Sequence, residues 1–297
     1  MNFPILHSAV TIMTPLLLAA SGGLFTEVSG MLNIALEGLI LTGAFAAVAA
    51  AHYTGSLALG LLAAALASLL LSALFAWVTL KLKSNVFITG LAVNLFAAGM
   101  TVVLSQQIFG TRGVAVPAAL PPLPRIDIPL IGKIPAAGDL LSGHSVFVYL
   151  SWALLALAAL VMFKTPFGLR LRACAKHSQA LVSLGLKPDT YRFTAFLVSG
   201  LTCGIGGAFL SLNLGAFVPN MSSGKGWIAL VVIFLGGRKP LGILIAAFIF
   251  GLAEAFSNYA QGILNIPADF ILALPHVFTL LIMVGVSVYI KAKTKVS

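Results

Sequence analysis

Charged side chains are scarce in this sequence. They make up 8% of its 297 residues, whereas soluble domains carry about 25%. So few charges cannot cover a water-exposed surface of this size, and hydrophobic residues account for 60% of the chain. The composition therefore excludes a soluble enzyme, a nucleic-acid-binding domain and a disordered chain. With a mean hydropathy of +1.09, the chain is predicted to lie in a lipid bilayer.

The residue combinations of soluble catalytic sites are also missing. The sequence contains no G-x-x-x-x-G-K-[ST] phosphate loop and no H-E-x-x-H motif. Its two cysteines, Cys174 and Cys203, lie too far apart for a zinc pair, and its five histidines show no ligand spacing. The sequence thus predicts no catalytic residue, no metal site and no nucleotide site in this chain.

Long apolar runs dominate what is present. A helix that crosses about 30 Å of hydrocarbon needs about 20 apolar residues. Apolar runs cover residues 8–24, 32–51, 56–80, 86–108, 145–163, 193–214, 227–237, 240–260 and 270–290. The seventh run is too short to span, so it is either half a span or continuous with the eighth across Pro240. The runs predict an all-α bundle of about 8–10 spans, forming a single transmembrane domain over residues 1–297.

The basic residues predict the orientation of the bundle. If the loop 164–192 is cytoplasmic and sides alternate, 13 of the 17 Lys and Arg residues lie inside. The remaining four, Arg112, Arg125, Lys133 and Lys225, lie outside. Cytoplasmic loops carry the excess of Lys and Arg, so the N-terminus is predicted outside and the C-terminus inside.

Two connections are long enough to carry function. The outer loop, 109–144, holds six prolines, which predict an extended surface segment rather than a long helix. In the inner loop, 164–192, Ser178 suits an N-cap and Gly185 suits a C-terminal end. Between them Ala180, Leu181 and Leu184 fall on one helical face. This pattern predicts a short amphipathic helix outside the membrane, which either docks a partner or packs on its own bundle or on lipid headgroups.

Several polar residues interrupt the apolar runs. Glu37, Glu254 and Asp269 are carboxylates within or beside predicted spans, and Asn94 and Asn213 are amides within them. Ionisable residues inside a membrane are costly and mark functional sites. The alternative for each is a hydrogen bond between helices, which commonly explains buried polar residues in bundles.

Three blocks of sequence resemble one family. They are GLFTEVSGMLNIALEG at 23–38, TPFGLRLRA at 165–173 with SLGL at 183–186, and GWIAL at 226–230 followed by PLG at 240–242. Together and in this order they resemble the permeases of bacterial ABC importers for ribose, galactose, branched-chain amino acids and nucleosides. The N-I-x-L-E-G form is closest to the nucleoside branch, which basic-membrane-protein-type lipoproteins serve. One departure is the segment 174–179, where the family commonly has a G-E-N-P-like run.

The resemblance implies a transport subunit of the bacterial plasma membrane for a nucleoside, a sugar or a related small polar solute. It implies four partners: a cytoplasmic ATPase that binds ATP and Mg²⁺, a second permease (a paralogue or a second copy), an extracytoplasmic solute-binding protein, and membrane lipid. Residues implied in ATPase coupling are Gly168, Arg170, Arg172, Ser178, Leu181, Leu184 and Gly185. Residues suggested for the substrate pathway are Asn33, Glu37, Asn94, Phe96, Asn213, Phe217 and Glu254.

Two other classes compete with this interpretation. A secondary transporter or channel would use Glu37, Glu254 or Asp269 as a proton or cation site and would need no ATPase. It would not require a structured inner loop, and the sequence shows no matching halves. A membrane-embedded enzyme is disfavoured, because no nucleophile, base or metal cluster is recognisable.

Overall fold

A computed structural model describes residues 4–117, 122–128 and 137–261, and most of these residues are helical. The helices are α1 (Pro4–Val28), α2 (Leu36–Thr54), α3 (Leu57–Leu80), α4 (Val86–Phe109), α5 (Ala137–Leu141), α6 (Val146–Lys164), α7 (Pro166–Lys176), α8 (Ser178–Ser183), α9 (Pro188–Leu214), α10 (Lys225–Leu235) and α11 (Pro240–Gln261). Two short antiparallel strands, β1 (Arg125–Ile126) and β2 (His144–Ser145), pair with each other.

The apolar runs predicted from the sequence are helices in the described part of the chain. Seven of these helices, α1, α2, α3, α4, α6, α9 and α11, are long and apolar enough to cross a membrane. The seventh run forms α10, which is too short to cross and is separated from α11 by the turn 236–239. Of the two alternatives for this run, half a span is therefore the correct one. The ninth run, with Asp269 and His276, lies outside the described residues.

Helices α1, α2 and α9 form the centre of the bundle, and α3 packs along α9. Lipid tails are as apolar as leucine, so helices in a membrane associate through close packing and hydrogen bonds. The glycine-rich face of α9 provides that packing. A Cβ at Gly200 would meet Ser72 of α3, and one at Gly204 would meet Ala64 and Ser68 of the same helix.

The outer helices direct leucines away from the bundle. Leu62, Leu66 and Leu70 of α3 and Leu95 of α4 are largely exposed. In water such a surface would aggregate, but in hydrocarbon it costs nothing. These faces therefore match the membrane environment that the composition predicts.

One end of the bundle, here called the basic end, is where α1, α3 and α6 end and α4, α9 and α11 begin. Arg238, before α11, forms an ion pair with Glu27 of α1 at 2.8 Å, and Arg192 near the start of α9 donates to the carbonyl oxygen of Cys174 at 3.0 Å. The basic residues at this end are Lys81, Lys83, Lys164, Arg170, Arg172, Lys176, Lys187, Arg192, Arg238 and Lys239.

The opposite end gathers the start of α1 and the ends of α2, α4, α9 and α11. Here the ring of His7 stacks on that of His144, with 4.1 Å between centroids. The loop 109–144 crosses this end, and its described residues contain no helix longer than the five residues of α5. Its residue Ala115 pairs with Phe217 in an isolated antiparallel bridge.

The inner loop contains two helices where the sequence predicts one. The missed helix is α7, which Thr165 caps by accepting a hydrogen bond from the Gly168 amide, with Pro166 in its first turn. A threonine followed by proline is a helix-start signal that identifies it in retrospect. Ser178 is not the N-cap of α8, because the helix already includes it and His177 precedes it without a side-chain cap.

Candidate functional site

Two irregular segments, here called the breaks, enter the bundle. The helices that follow them, α2 and α10, are here called the broken helices, and they meet at their first turns. Residues 29–35 separate α1 from α2, and residues 215–224 lead from α9 to the short helix α10. Asn33 lies in the first break and bonds Ser199 of α9, and Asn94 of α4 bonds the break at Ile34. Counted at 1.5 Å per residue along α4 to Asn94 and along α9 to Ser199, these contacts lie about 12–16 Å from the basic end. This depth is near the middle of a hydrocarbon core of about 30 Å.

The side chains of Asn33 and Asn94 supply hydrogen-bond partners to the backbone in and beside the first break. The Asn94 side chain donates to the Ile34 carbonyl oxygen at 2.9 Å and accepts from the Gly38 amide at 2.8 Å. Asn33 is fully buried, donates to the Ser199 hydroxyl at 2.8 Å and accepts from the Ala35 amide at 3.1 Å. Unwound backbone at membrane depth requires such partners, since no water or helix satisfies it.

Glu37 supplies hydrogen-bond acceptors to the backbone at the second break. Its two carboxylate oxygens accept hydrogen bonds from the amides of Gly224 and Gly226, each at 2.7 Å. These amides lie at the N-terminus of α10, where backbone donors lack partners and the helix dipole favours a negative charge. Gly224 adopts φ +83°, which glycine tolerates. Glu37 of α2 thus joins the broken end of one helix to the broken end of the other.

Lys225 and Glu254 form an ion pair next to this junction. The Lys225 ammonium lies 2.7 Å from a Glu254 carboxylate oxygen, and both side chains are mostly buried. The sequence-based assignment of Lys225 to an outer loop is therefore wrong. The segment before α10 turns into the bundle, so the first residue of α10 lies inside it and takes a carboxylate partner there.

The seven residues suggested for the substrate pathway do not share one cavity. Asn33, Glu37, Asn94 and Glu254 cluster around the broken helices, with their polar atoms bonded to the protein. Phe217 is fully buried and packs edge-on against Phe45 with 5.2 Å between centroids. Phe96 is exposed on the outer face of α4. Their roles in transport stay predictions.

Asn213 lies in a different place, at a polar cavity of about 580 Å³ at the opposite end of the bundle. Residues of α1, α9, α11 and the loop before α6 line this cavity. The sequence identified only Asn213 among them. His7, Arg125 and Tyr259 come from separate parts of the chain, and no spacing in the sequence indicates that they meet.

At the basic end, α7 and α8 form a platform whose inner side is anchored. Leu171 and Cys174 of α7 and Leu181 of α8 are buried. The Arg192 side chain ties α9 to the end of α7. Arg170 donates to the Tyr191 hydroxyl at 3.2 Å.

The remaining predicted coupling residues support local structure in the platform. Arg172 donates to the Gly168 carbonyl oxygen at 3.3 Å and lies over the Phe163 ring. Gly185, at φ +74°, ends α8, with its amide donating to Val182 and the next amide donating to Leu181. The predicted glycine at this helix end is confirmed, and the pattern is the Schellman arrangement.

The outer side of the platform exposes apolar side chains. Leu184 is 75% exposed, Leu169 63% and Val182 61%. The predicted face of Ala180, Leu181 and Leu184 is therefore not one exposed surface, because Leu181 is buried against the bundle whereas Leu184 is exposed.

No group of three metal-binding side chains occurs in the described residues.

The chain is similar to known membrane transport proteins. Residues 5–287 match the family model described as the branched-chain amino acid transport system permease component. The guanosine ABC transporter permease protein NupQ of Bacillus subtilis is 32% identical over 95% of this chain and 91% of its own length. The nucleoside ABC transporter permease protein NupC of Lactococcus lactis is also 32% identical, over 91% of this chain and 88% of its own length.

Two further proteins are more distant. A putative glucose ABC transporter permease protein, TsgC13 of Haloferax volcanii, is 28% identical over 87% of this chain and 78% of its own length. Among solved structures, an inward-facing putative metal-chelate type ABC transporter has a TM-score of 0.52 at 14% identity, covering 94% of this chain and 85% of the other. At this level of identity, the likeness to the solved structure shows a similar fold alone.

Proposed function

Because the chain belongs to the family of branched-chain amino acid transport system permease components, we propose that it moves a nucleoside across the bacterial plasma membrane as one permease subunit of an ABC importer. The family establishes the multi-pass permease. The nucleoside follows from the relatives named for guanosine and nucleoside transport, which match almost the whole chain.

The observation that carries the coupling to an ATPase is the platform at the basic end. It is anchored inside by buried side chains and presents exposed apolar side chains, including Leu184, away from the bundle. Exposed apolar groups on an ordered helix pair, surrounded by basic residues, suit docking of another protein. The ATPase, with its ATP and Mg²⁺, would be that protein.

The platform also contacts the segment that leads to the broken helices. Gly30 lies against Ala175 of α7, so closely that a Cβ would meet its Cα at 3.0 Å. Helix α2 begins six residues further along the chain, at Leu36, and Glu37 in its first turn holds α10. Movement of the platform on ATP hydrolysis would therefore reach the middle of the bundle through residues 30–37, and switch it between outward- and inward-facing states.

The other partners follow from the family and from the exposed faces. A second permease, either a paralogue or a second copy, would pack beside this one. The binding protein would deliver the solute at the end opposite to the platform. In this arrangement the basic end is cytoplasmic, which agrees with the positive-inside rule.

The docking proposal is tested by Leu184→Asp in the affinity-tagged permease. We expect the variant to insert and fold normally, since Leu184 is 75% exposed, yet to recover about fivefold less ATPase on purification in mild detergent. Uptake of guanosine should fall in parallel. Measured quantities are the amounts of ATPase and second permease per tagged chain, and the uptake rate in cells.

Two variants serve as controls. Leu82→Asp changes a leucine that is 59% exposed at the same end but outside the platform, and it should leave ATPase recovery unchanged. Leu181→Asp buries a charge, because Leu181 is 5% exposed, so folded protein should be lost. Full ATPase recovery with Leu184→Asp would rule out this docking surface. A wild-type chain that passes solute without ATP would instead support a channel or secondary transporter.

A further inference from the structure

The polar cavity at the opposite end of the bundle has several polar side chains in its lining. It has a volume of about 580 Å³, within the range of small-molecule sites. Helices α1, α9 and α11 supply most of its wall, so it lies between elements that form or contact the centre of the bundle. The side chains used in the argument are His7, Ser8, Arg125, Asn213, Asn258 and Tyr259.

Hydrogen-bonding groups in this cavity are available, in contrast to those around the broken helices. Asn33, Asn94 and Glu37 have partners in the protein for their side-chain oxygens. Asn213 and Asn258 are exposed to the cavity and have no hydrogen-bond partner among the described residues. Each carboxamide therefore keeps a donor and an acceptor for a solute.

Aromatic and charged groups narrow the class of solute. Tyr259 is 52% exposed and lines the cavity together with the carboxamides. The His7 ring also lines the cavity and is held parallel to the His144 ring at 8°. Among the described residues that line the cavity, Arg125 is the one Lys or Arg side chain, and none is a carboxylate. This environment disfavours a cation and suits a neutral heterocycle, whose ring stacks and whose polar edge pairs with amides.

Helix α11 connects the cavity to the ion pair beside α10. Glu254, which pairs with Lys225, precedes Asn258 by four residues on α11. Residues four apart share one face of a helix and lie about 6 Å apart along its axis, slightly more than one turn. A solute in the cavity would therefore be one helical turn from the ion pair beside α10.

From this arrangement we propose that the cavity is a solute-binding site of the permease itself, which selects nucleosides through Asn213, Asn258 and Tyr259. The proposal rests on the proposed function and adds that selectivity does not reside in the binding protein alone. A nucleoside would stack its base on Tyr259, pair the edge of its base with the two carboxamides, and place its sugar near Ser8.

The test measures uptake of tritiated guanosine and tritiated uridine by cells that express the complete transporter. Asn213→Ala and Asn258→Ala should each lower guanosine uptake about tenfold at limiting solute, because polar pairing groups discriminate strongly between solutes. The guanosine to uridine ratio should change about threefold or more, since the two bases present different edges. Tyr259→Ala should lower uptake of both nucleosides.

The matched control is Tyr53→Ala. Tyr53 is a tyrosine at the same end of the bundle, 70% exposed and outside the cavity, so its removal should leave uptake unchanged. Amounts of assembled transporter and ATP hydrolysis without solute are measured for every variant.

Two results would overturn the cavity site while preserving nucleoside transport. One is wild-type uptake in all three cavity variants. The other is an equal loss of guanosine and uridine uptake in the asparagine variants, which would assign these residues to docking of the binding protein. Absence of uptake of either nucleoside by the wild-type transporter would overturn the proposed function together with the cavity site.

Discussion

Glu37 illustrates how one side chain can serve a broken membrane helix. Its carboxylate accepts from two backbone amides of α10, each at 2.7 Å. Hydrogen bonds to an ionised acceptor are about twice as strong as neutral ones, and an unsatisfied amide at membrane depth costs several kcal/mol. The cost of placing a carboxylate in the bundle is thus offset by the helix end that it caps.

Removal of this carboxylate should destabilise the permease. We expect Glu37→Ala to lower the free energy of unfolding by about 1–3 kcal/mol, and Glu37→Gln by less, because the amide oxygen still accepts one hydrogen bond. Thermal unfolding in detergent measures the difference.

The matched control for this prediction is Asp189→Asn, which changes a carboxylate that is 56% exposed and lies 3.5 Å from Arg192. Exposed ion pairs contribute about 0–1 kcal/mol, so the control should cost less than Glu37→Gln. Equal stability losses in Glu37→Gln and Asp189→Asn would contradict the capping role.

At the scale of elements, the centre of the bundle depends on close approach of helices rather than on large side chains. A Cβ added at Gly43 of α2 would lie 2.6 Å from the Cα of Gly204 of α9. Backbones that approach so closely gain van der Waals contact, and this contact replaces the hydrophobic driving force that lipid removes. The same approach holds α2 where its first turn must meet α10.

Gly43→Ala should therefore separate α2 from α9 and destabilise the bundle by about 1–3 kcal/mol, the usual cost of overpacking. Gly99→Ala is the matched control, because a Cβ at Gly99 on the exposed face of α4 would have nothing within 4 Å. Alanine there should stabilise by about 0.5–1 kcal/mol through lower backbone entropy. Yields of monodisperse protein and melting temperatures measure both effects. A Gly43→Ala variant as stable as Gly99→Ala would show that this contact is adaptable.

At the scale of the whole molecule, the bundle is polarised along its axis. The platform and most described basic residues lie at one end, and the polar cavity lies at the other. An importer needs this separation, since the solute arrives on one side and ATP is hydrolysed on the other. The broken helices lie between the two ends, where both can act on them.

Cysteine labelling in intact cells tests the proposed orientation. Tyr53→Cys, at the cavity end, should react with a membrane-impermeant maleimide, whereas Gln179→Cys, on the platform, should react only after the membrane is permeabilised. Background labelling should be low, because Cys174 and Cys203 are buried, and burial raises the pKa of the Cys174 thiol above its ordinary value, so that little thiolate is present. The reverse labelling pattern would invert the orientation.

Part of the candidate site could be predicted from the sequence. Glu37, Glu254, Asn33 and Asn94 stand out because polar residues are rare and costly in apolar runs. Their partners could not be predicted, since Glu37 contacts residues 187 and 189 positions away and Asn33 contacts one 166 positions away. Residue type alone suggests Phe96 and Phe217, and the structure distinguishes them, because Phe96 is exposed and Phe217 is fully buried.

The sequence by itself determined the membrane environment and the positions of the seven described spans, because apolar length, proline and glycine act locally. Its three motifs also indicated the permease family. Only the tertiary structure decided what each polar residue does. It brought Lys225 into the bundle beside Glu254, turned Leu181 inward while leaving Leu184 exposed, and assembled the cavity from α1, α9, α11 and a distant loop. Contacts between distant segments depend on how helices pack, and in a membrane that packing is selected by shape and hydrogen bonding rather than by hydrophobic pattern.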